Sequence, residues 1–215
     1  GHGGSNSAAA LDTTAAGDLW DSTLGLTTLG TSAARMAPLA STSGDNLVVY
    51  SLPSMVDGLS VGVSTQLATT GGSASTAFGL TYAGVDGLSV SYGKGNSEGV
   101  TAVSGDQTIM KASYAYGPIT ASASHNQFDH TTGSIDQEVT AYGLSYTVSD
   151  AISLSYGEET IDRALQVSDI EVSGYSASYT TGGMTLSLAS KKADNVDHTA
   201  NVSNEMWQLG LSLAF

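Results

Sequence analysis

The sequence predicts an all-β protein, an antiparallel up-and-down β-barrel that crosses a membrane on strands rather than helices. Short segments throughout the C-terminal four-fifths alternate at period two, large apolar side chains on one face and Ser, Thr, Gly or Ala on the other. Tight turns and longer polar connections alternate along the chain, which sorts loop lengths onto two rims. The last segment keeps its alternation up to an aromatic terminal residue. No apolar run approaches the length of a membrane-spanning helix.

The elements follow in chain order. Val48, Tyr50 and Leu52 share the first face, and Leu59, Val61 and Val63 the next. Then come Phe78, Leu80, Tyr82; Leu88, Val90, Tyr92; Met110, Ala112, Tyr114, Tyr116; and Ile119, Ala121, Ala123. Tyr142 to Val148 and Ile152 to Tyr156 form another pair, followed by Tyr175, Ala177, Tyr179 and Met184, Leu186, Leu188. With Trp207, Leu209, Leu211, Leu213 and Phe215 the template counts about eleven strands. Turn-forming residues sit at Asp57-Gly58, Asp86-Gly87, Gly117-Pro118, Ser149-Asp150 and Gly182-Gly183. The longer connections are expected at Ala68 to Ser75, Gly95 to Asp106, Phe128 to Ile135, Glu158 to Ser168 and Lys192 to Ser203. Short turns on one rim and long loops on the other are the asymmetry of an outer-membrane barrel, the short ones periplasmic. All ten Tyr take the apolar parity of their strands, where an amphipathic ring suits a membrane interface.

Composition narrows the function classes. Six Lys+Arg against twenty Asp+Glu give a net charge of −14, and a chain without a basic patch is a poor nucleic-acid partner. There is no Cys, hence no disulfide framework, thiolate metal site or thiol nucleophile. No Gly-x-Ser-x-Gly elbow and no His-Glu-x-x-His motif appears, and His2, His125, His130 and His198 are assigned to a terminus or loops without metal spacing. An enzyme is therefore not expected.

Two segments carry a resemblance. The alternating last strand, Trp207, Leu209, Leu211, Leu213 and Phe215, resembles the C-terminal signal that assembly machinery reads in bacterial outer-membrane barrels. Asp45-Asn46-Leu47-Val48-Val49-Tyr50-Ser51-Leu52-Pro53, followed by Asp57-Gly58-Leu59, is similar to the strand after the inward-folded constriction loop of Gram-negative general diffusion porins, of alphaproteobacterial type. The resemblance implies a sixteen-stranded, homotrimeric barrel in the outer membrane, with eleven strands after the constriction loop. Residues 1–45 would then be that loop and 46–215 the barrel strands. Eleven strands do not close a bacterial barrel, which takes an even number. The N-terminal strands are thus expected on another chain or outside this sequence. Alternatively, Leu19 to Leu29 adds a twelfth strand, with the poorer alternation of Asp21, Thr23 and Thr27 against Ser22, Leu24 and Leu26.

In a pore the useful chemistry is electrostatic. By resemblance Asp12, Asp18, Asp21 and Asp45, with Arg35 as the one base, would line the constriction. Lys111 and Lys191 take the lumen parity and are the candidate wall bases, with Arg163, assigned to a loop, as a third. Val49 stands where the porin pattern often has Arg, so the usual basic cluster is reduced, and the charge balance points to mild cation preference. Glu158, Glu159 and Asp162, and separately Asp194 and Asp197, are candidate rim sites for Ca²⁺ bridging to lipopolysaccharide, against the plainer role of solvated loop charge. No other cofactor is expected; the partners are copies of the chain and the lipids of the outer membrane. The expected function is passive diffusion of small hydrophilic solutes and ions. The alternatives are a structural or adhesive surface barrel with a narrow or plugged lumen, and a soluble secreted β-sandwich.

Overall fold

The computed structural model describes residues 47–53, 55–67, 74–98, 104–131 and 136–214. These form one antiparallel sheet in which every strand pairs with its sequence neighbour, in the order β1 to β11. The strands are β1 Leu47–Ser51, β2 Leu59–Gln66, β3 Ala74–Val85, β4 Leu88–Glu98, β5 Gly105–Tyr116 and β6 Ile119–His130. β7 Gln137–Ser149, β8 Ile152–Arg163, β9 Ile170–Thr181, β10 Met184–Asp194 and β11 Ser203–Leu213 complete it. Among the described residues the sheet is open, β1 and β11 each having one neighbour. The expected strand count is met. Residues 1–46, including the alternative strand at Leu19 to Leu29, lie outside the described residues.

Turn chemistry sets the register. Gly58, Gly87, Gly117, Gly182 and Gly183 all have positive φ, which glycine adopts without a Cβ penalty. At Gly87 a Cβ would overlap the Ala115 carbonyl oxygen, so the β3–β4 turn tolerates no side chain there. The turn expected at Ser149-Asp150 sits one residue later, at Asp150 and Ala151, after a register shift between Thr147 and Ser149.

The strands run further than the expected boundaries. β8 continues through Glu158 to Arg163, β6 through Phe128 to His130, and β10 through Lys192 to Asp194. Arg163, His125 and His130 are therefore strand residues, not loop residues. The reason is a reversal of polarity along each strand. Near the short turns the outward positions are apolar; towards the long connections they become Glu138, Glu158, Asp162 and Glu171, while the inward ones become Ile109, Phe128, Val139, Ile161, Ile170 and Val172. These inward residues are buried, Phe128 and Ile161 to 0 % exposure. Val139, Ala141, Ile161, Ile170, Val172, Ala193 and Val196 form one cluster, with Met206 against it.

Val196 belongs to the β10–β11 connection, whose single 3₁₀ turn, Val196–His198, lies between left-handed Asn195 and Asn201. Asn195 Nδ2 donates to the Asp169 carbonyl at 2.9 Å, and His198 Nδ1 lies 2.8 Å from the Ser168 carbonyl. The last two long connections are thus tied together at the rim.

Candidate functional site

The site is the inner wall. Period two places Ser113, Ser122, Gly143, Gly157, Gly174 and Lys191 in one register row, so three strands in succession present no side chain inward. A second glycine row, Gly62, Gly79 and Gly93, crosses β2 to β4. Towards the short turns the wall is floored by hydroxyls that pair across strands. Thr81 with Ser91, Ser153 with Ser178, Ser155 with Ser176 and Thr180 with Thr185 lie 2.5 to 3.0 Å apart. Each hydroxyl is both donor and acceptor, so a pair still has lone pairs and a rotor to offer the lumen. Lys111 stands directly opposite Ser91 in this row, whereas among the described residues the part of the floor on β7 to β10 carries no charged side chain.

The inward charges lie higher. Lys111 and Glu159 share one row through Ser124 and Ala141, and Lys191 stands opposite Gly174 and Met206. Glu159 is 1 % and Lys191 5 % exposed. Arg163 faces inward at the rim, in register with Gln137. Sequence parity places Lys111 and Lys191 on this wall and misses Glu159, the acid that shares it. Gln107 Nε2 donates to Asn126 Oδ1 at 3.2 Å, and the buried Gln137 amide has no partner among the described residues.

Glu158, Glu159 and Asp162 do not come together on one face. Glu158 and Asp162 point outward and are exposed, whereas Glu159 points inward and is buried, because neighbours on a strand face opposite sides. Among the described residues no group of three or more His, Asp or Glu side chains is placed to hold a metal ion. Asp194 is ion-paired to Lys192 at 2.7 Å, and Asp197 sits in the β10–β11 connection. Asp12, Asp18, Asp21, Arg35, Asp45 and Phe215 lie outside the described residues.

The outer face completes the arrangement. Val61, Leu80, Tyr114, Tyr146, Leu154, Tyr179, Leu186 and Leu211 make an apolar belt, and Trp207, Leu209 and Leu211 are 74 %, 60 % and 60 % exposed. At about 3.4 Å per residue, Tyr142 to Val148 covers about 20 Å of β7, which is about 15 Å of height on a strand tilted by about 40° and the greater part of a lipid-facing band about 25 Å tall. Tyr142, Tyr156 and Tyr175 close the belt towards the long connections, the last two with ring centroids 4.6 Å apart. Beyond them acids face one another across strands: Asp106 and Asp129, Glu138 and Asp162, Glu171 and Asp194. Like charges directly opposite destabilise a sheet, which is tolerable only where water or counterions reach them.

The family model described as Gram-negative porin matches residues 4–168. The chain belongs to that family. It is an outer-membrane β-barrel protein, and solved porins share its sheet. An anion-selective porin from Comamonas acidovorans superposes with a TM-score of 0.65 at 18% identity, covering 82% of this chain and 60% of that one. A porin refined at 1.8 Å gives 0.62 at 16% identity, covering 80% and 63%. Salmonella typhi OmpF, in complex with daunomycin, gives 0.60 at 13%, covering 81% and 63%. The chain thus spans less than two thirds of the length of these porins. No curated protein sequence matches it.

Proposed function

We propose that the chain forms the greater part of the wall of a passive outer-membrane channel for small hydrophilic solutes and ions. The observation that carries this is the sidedness of the sheet: a belt that suits hydrocarbon backs directly onto a hydroxyl-and-glycine wall that suits water. Residues 1–45 would supply the constriction, with Asp12, Asp18, Asp21, Asp45 and Arg35, and the assembled protein would be a homotrimer, as the porin resemblance implies. The C-terminal strand with its outward Trp207, Leu209, Leu211 and Leu213 would be the segment read during assembly.

The wall alters the ion preference expected from net charge. Its inward basic side chains are Lys111, Lys191 and Arg163 against the one acid Glu159, while the strand acids mostly face outward. Mild cation preference therefore rests on the four constriction aspartates outweighing the bases of the wall. A Ca²⁺ bridge to lipopolysaccharide would have to use single outward acids such as Glu158 or Asp162, which stand about 14 Å apart along β8 and cannot share one ion.

The test is conductance of purified, folded protein in a planar bilayer, with reversal potentials in a salt gradient. Step-like currents and swelling of liposomes in small neutral sugars are expected. Correctly assembled protein that carries no current would favour the structural or adhesive barrel instead.

A further inference from the structure

Gln137 faces inward near the long-connection end of β7 and is 4 % exposed, yet neither its Oε1 nor its Nε2 has a hydrogen-bond partner among the described residues. A buried amide left unsatisfied is destabilising, so its presence calls for a physical cause. Asn126, on β6 and diagonal to it past Phe128, repeats the situation. Its Oδ1 accepts from Gln107 Nε2 at 3.2 Å, which leaves the buried Nδ2 a donor without an acceptor among the described residues. Directly opposite Gln137 stands Arg163, inward, half-buried and in no ion pair with any described residue.

The acids around this corner are turned away from it. Glu138 and Asp162 share the outer face, and Asp169 is exposed in the β8–β9 connection. Asp136 accepts from the His130 backbone amide at 2.7 Å. Glu159 is the inward acid of β8, four residues and about 14 Å along the strand from Arg163. His130, on β6 beyond Phe128, is the other inward titratable side chain at this end, its ring 5.9 Å from that of Phe128. A guanidinium, an amide donor and an amide acceptor thus meet at the mouth of the lumen, and no described carboxylate takes them up. A planar guanidinium fork matches the two oxygens of a carboxylate better than it matches a spherical ion.

We propose that Arg163 and Gln137 form a capture site for small, singly charged hydroxycarboxylates at the long-connection mouth of the channel. The guanidinium would take the carboxylate in a fork, and Gln137 Nε2 would donate a further hydrogen bond to it. Gln137 Oε1 would accept from the hydroxyl of the same solute. Charge sets the class: one cation balances one negative charge, whereas phosphate, nearer two, would leave the excess facing Glu159. Chloride would use the charge of Arg163 but neither the fork nor the Gln137 acceptor. The inference rests on the channel reading above and names a solute class for it.

The test pairs binding with transport in the full, folded protein. Saturation-transfer NMR in detergent, with lactate as the probe and phosphate as competitor, reads binding without current. Planar-bilayer conductance in potassium lactate and in potassium chloride reads transport. Lactate should bind saturably, and its conductance should level off with concentration while that of chloride stays linear. Arg163→Gln should raise the half-saturating lactate concentration about tenfold, the effect of losing one charge-assisted fork. Arg163→Lys should keep the chloride conductance and lose most of the lactate saturation, because the charge stays and the fork goes. Gln137→Leu removes an unsatisfied buried amide at similar volume, so it should leave stability unchanged or raised and still weaken lactate about threefold. Lys192→Gln, an outward lysine already paired to Asp194, should change neither readout. Lactate binding unaffected by Arg163→Gln or by Gln137→Leu, or tighter binding of phosphate than of lactate, would each overturn the proposal. Lactate binding intact with no current in either salt would uphold the site and count against the channel.

Discussion

Lys111 and Lys191 show why the net charge of a barrel says little about its pore. A strand puts half of its residues outside, and here that half holds Glu138, Glu158, Asp162, Glu171 and Glu205, where they act on the rim and not on a solute inside. The two lysines stay inward because an ammonium facing hydrocarbon costs several kcal/mol. In a water-filled lumen one charge about 8 Å from a passing ion contributes about 0.5 kcal/mol, less when screened by salt. Each lysine acts with opposite sign on cation and anion, so replacing both by Gln should raise the cation-to-anion permeability ratio several-fold at about 0.1 M salt, measured as a shift in reversal potential, with conductance retained. An unchanged reversal potential would mean that the two side chains do not shape the field of the passage.

At the scale of the strand, the belt half was legible in the sequence and the rim half was not. From Tyr142 to Val148 the apolar side chains mark the outward parity, and the paired Ser and Thr mark the inward one. From Gln137 to Ala141 the period is still two, but Val139 and Ala141 face inward while Glu138 and Thr140 face outward. A template of one apolar face reads that inversion as the end of the strand and so puts Phe128, Glu158 and Lys192 in loops. The physical cause is that the outer face leaves the hydrocarbon before the strand ends, so burial moves to the inner side. His130 and Arg163 were hidden by the same reversal. Ile161, at 0 % exposure in the inner cluster, should then behave as a core residue of a soluble protein. Ile161→Ala should cost about 2–5 kcal/mol of stability, against about 1 kcal/mol for Ser155→Ala, whose hydroxyl pair faces the lumen. Unfolding in urea followed by circular dichroism reads both; equal costs would show that the rim cluster is not a core.

Across the whole molecule, exposure alone does not distinguish a membrane wall from a soluble sheet, since both faces of the lower half are open. Leu154 is 44 % exposed on the outer face, and its neighbour Ser153 is exposed on the inner one, hydrogen-bonded to Ser178 at 2.7 Å. In water, lysine at either position would reach solvent and cost little. In a bilayer the two positions separate, because one faces hydrocarbon and the other a wet lumen. Leu154→Lys should lose about 2–4 kcal/mol of folding stability in liposomes, and Ser153→Lys no more than about 1 kcal/mol. Ser153→Lys should act on the current instead, since it adds a charge to the β7–β10 part of the floor, which has none among the described residues. The asymmetry depends on the solvent around the outer face, so it should shrink when the same variants unfold from a detergent that lets water approach the belt. Equal costs in liposomes would place water on both faces and remove the basis for a membrane-spanning wall.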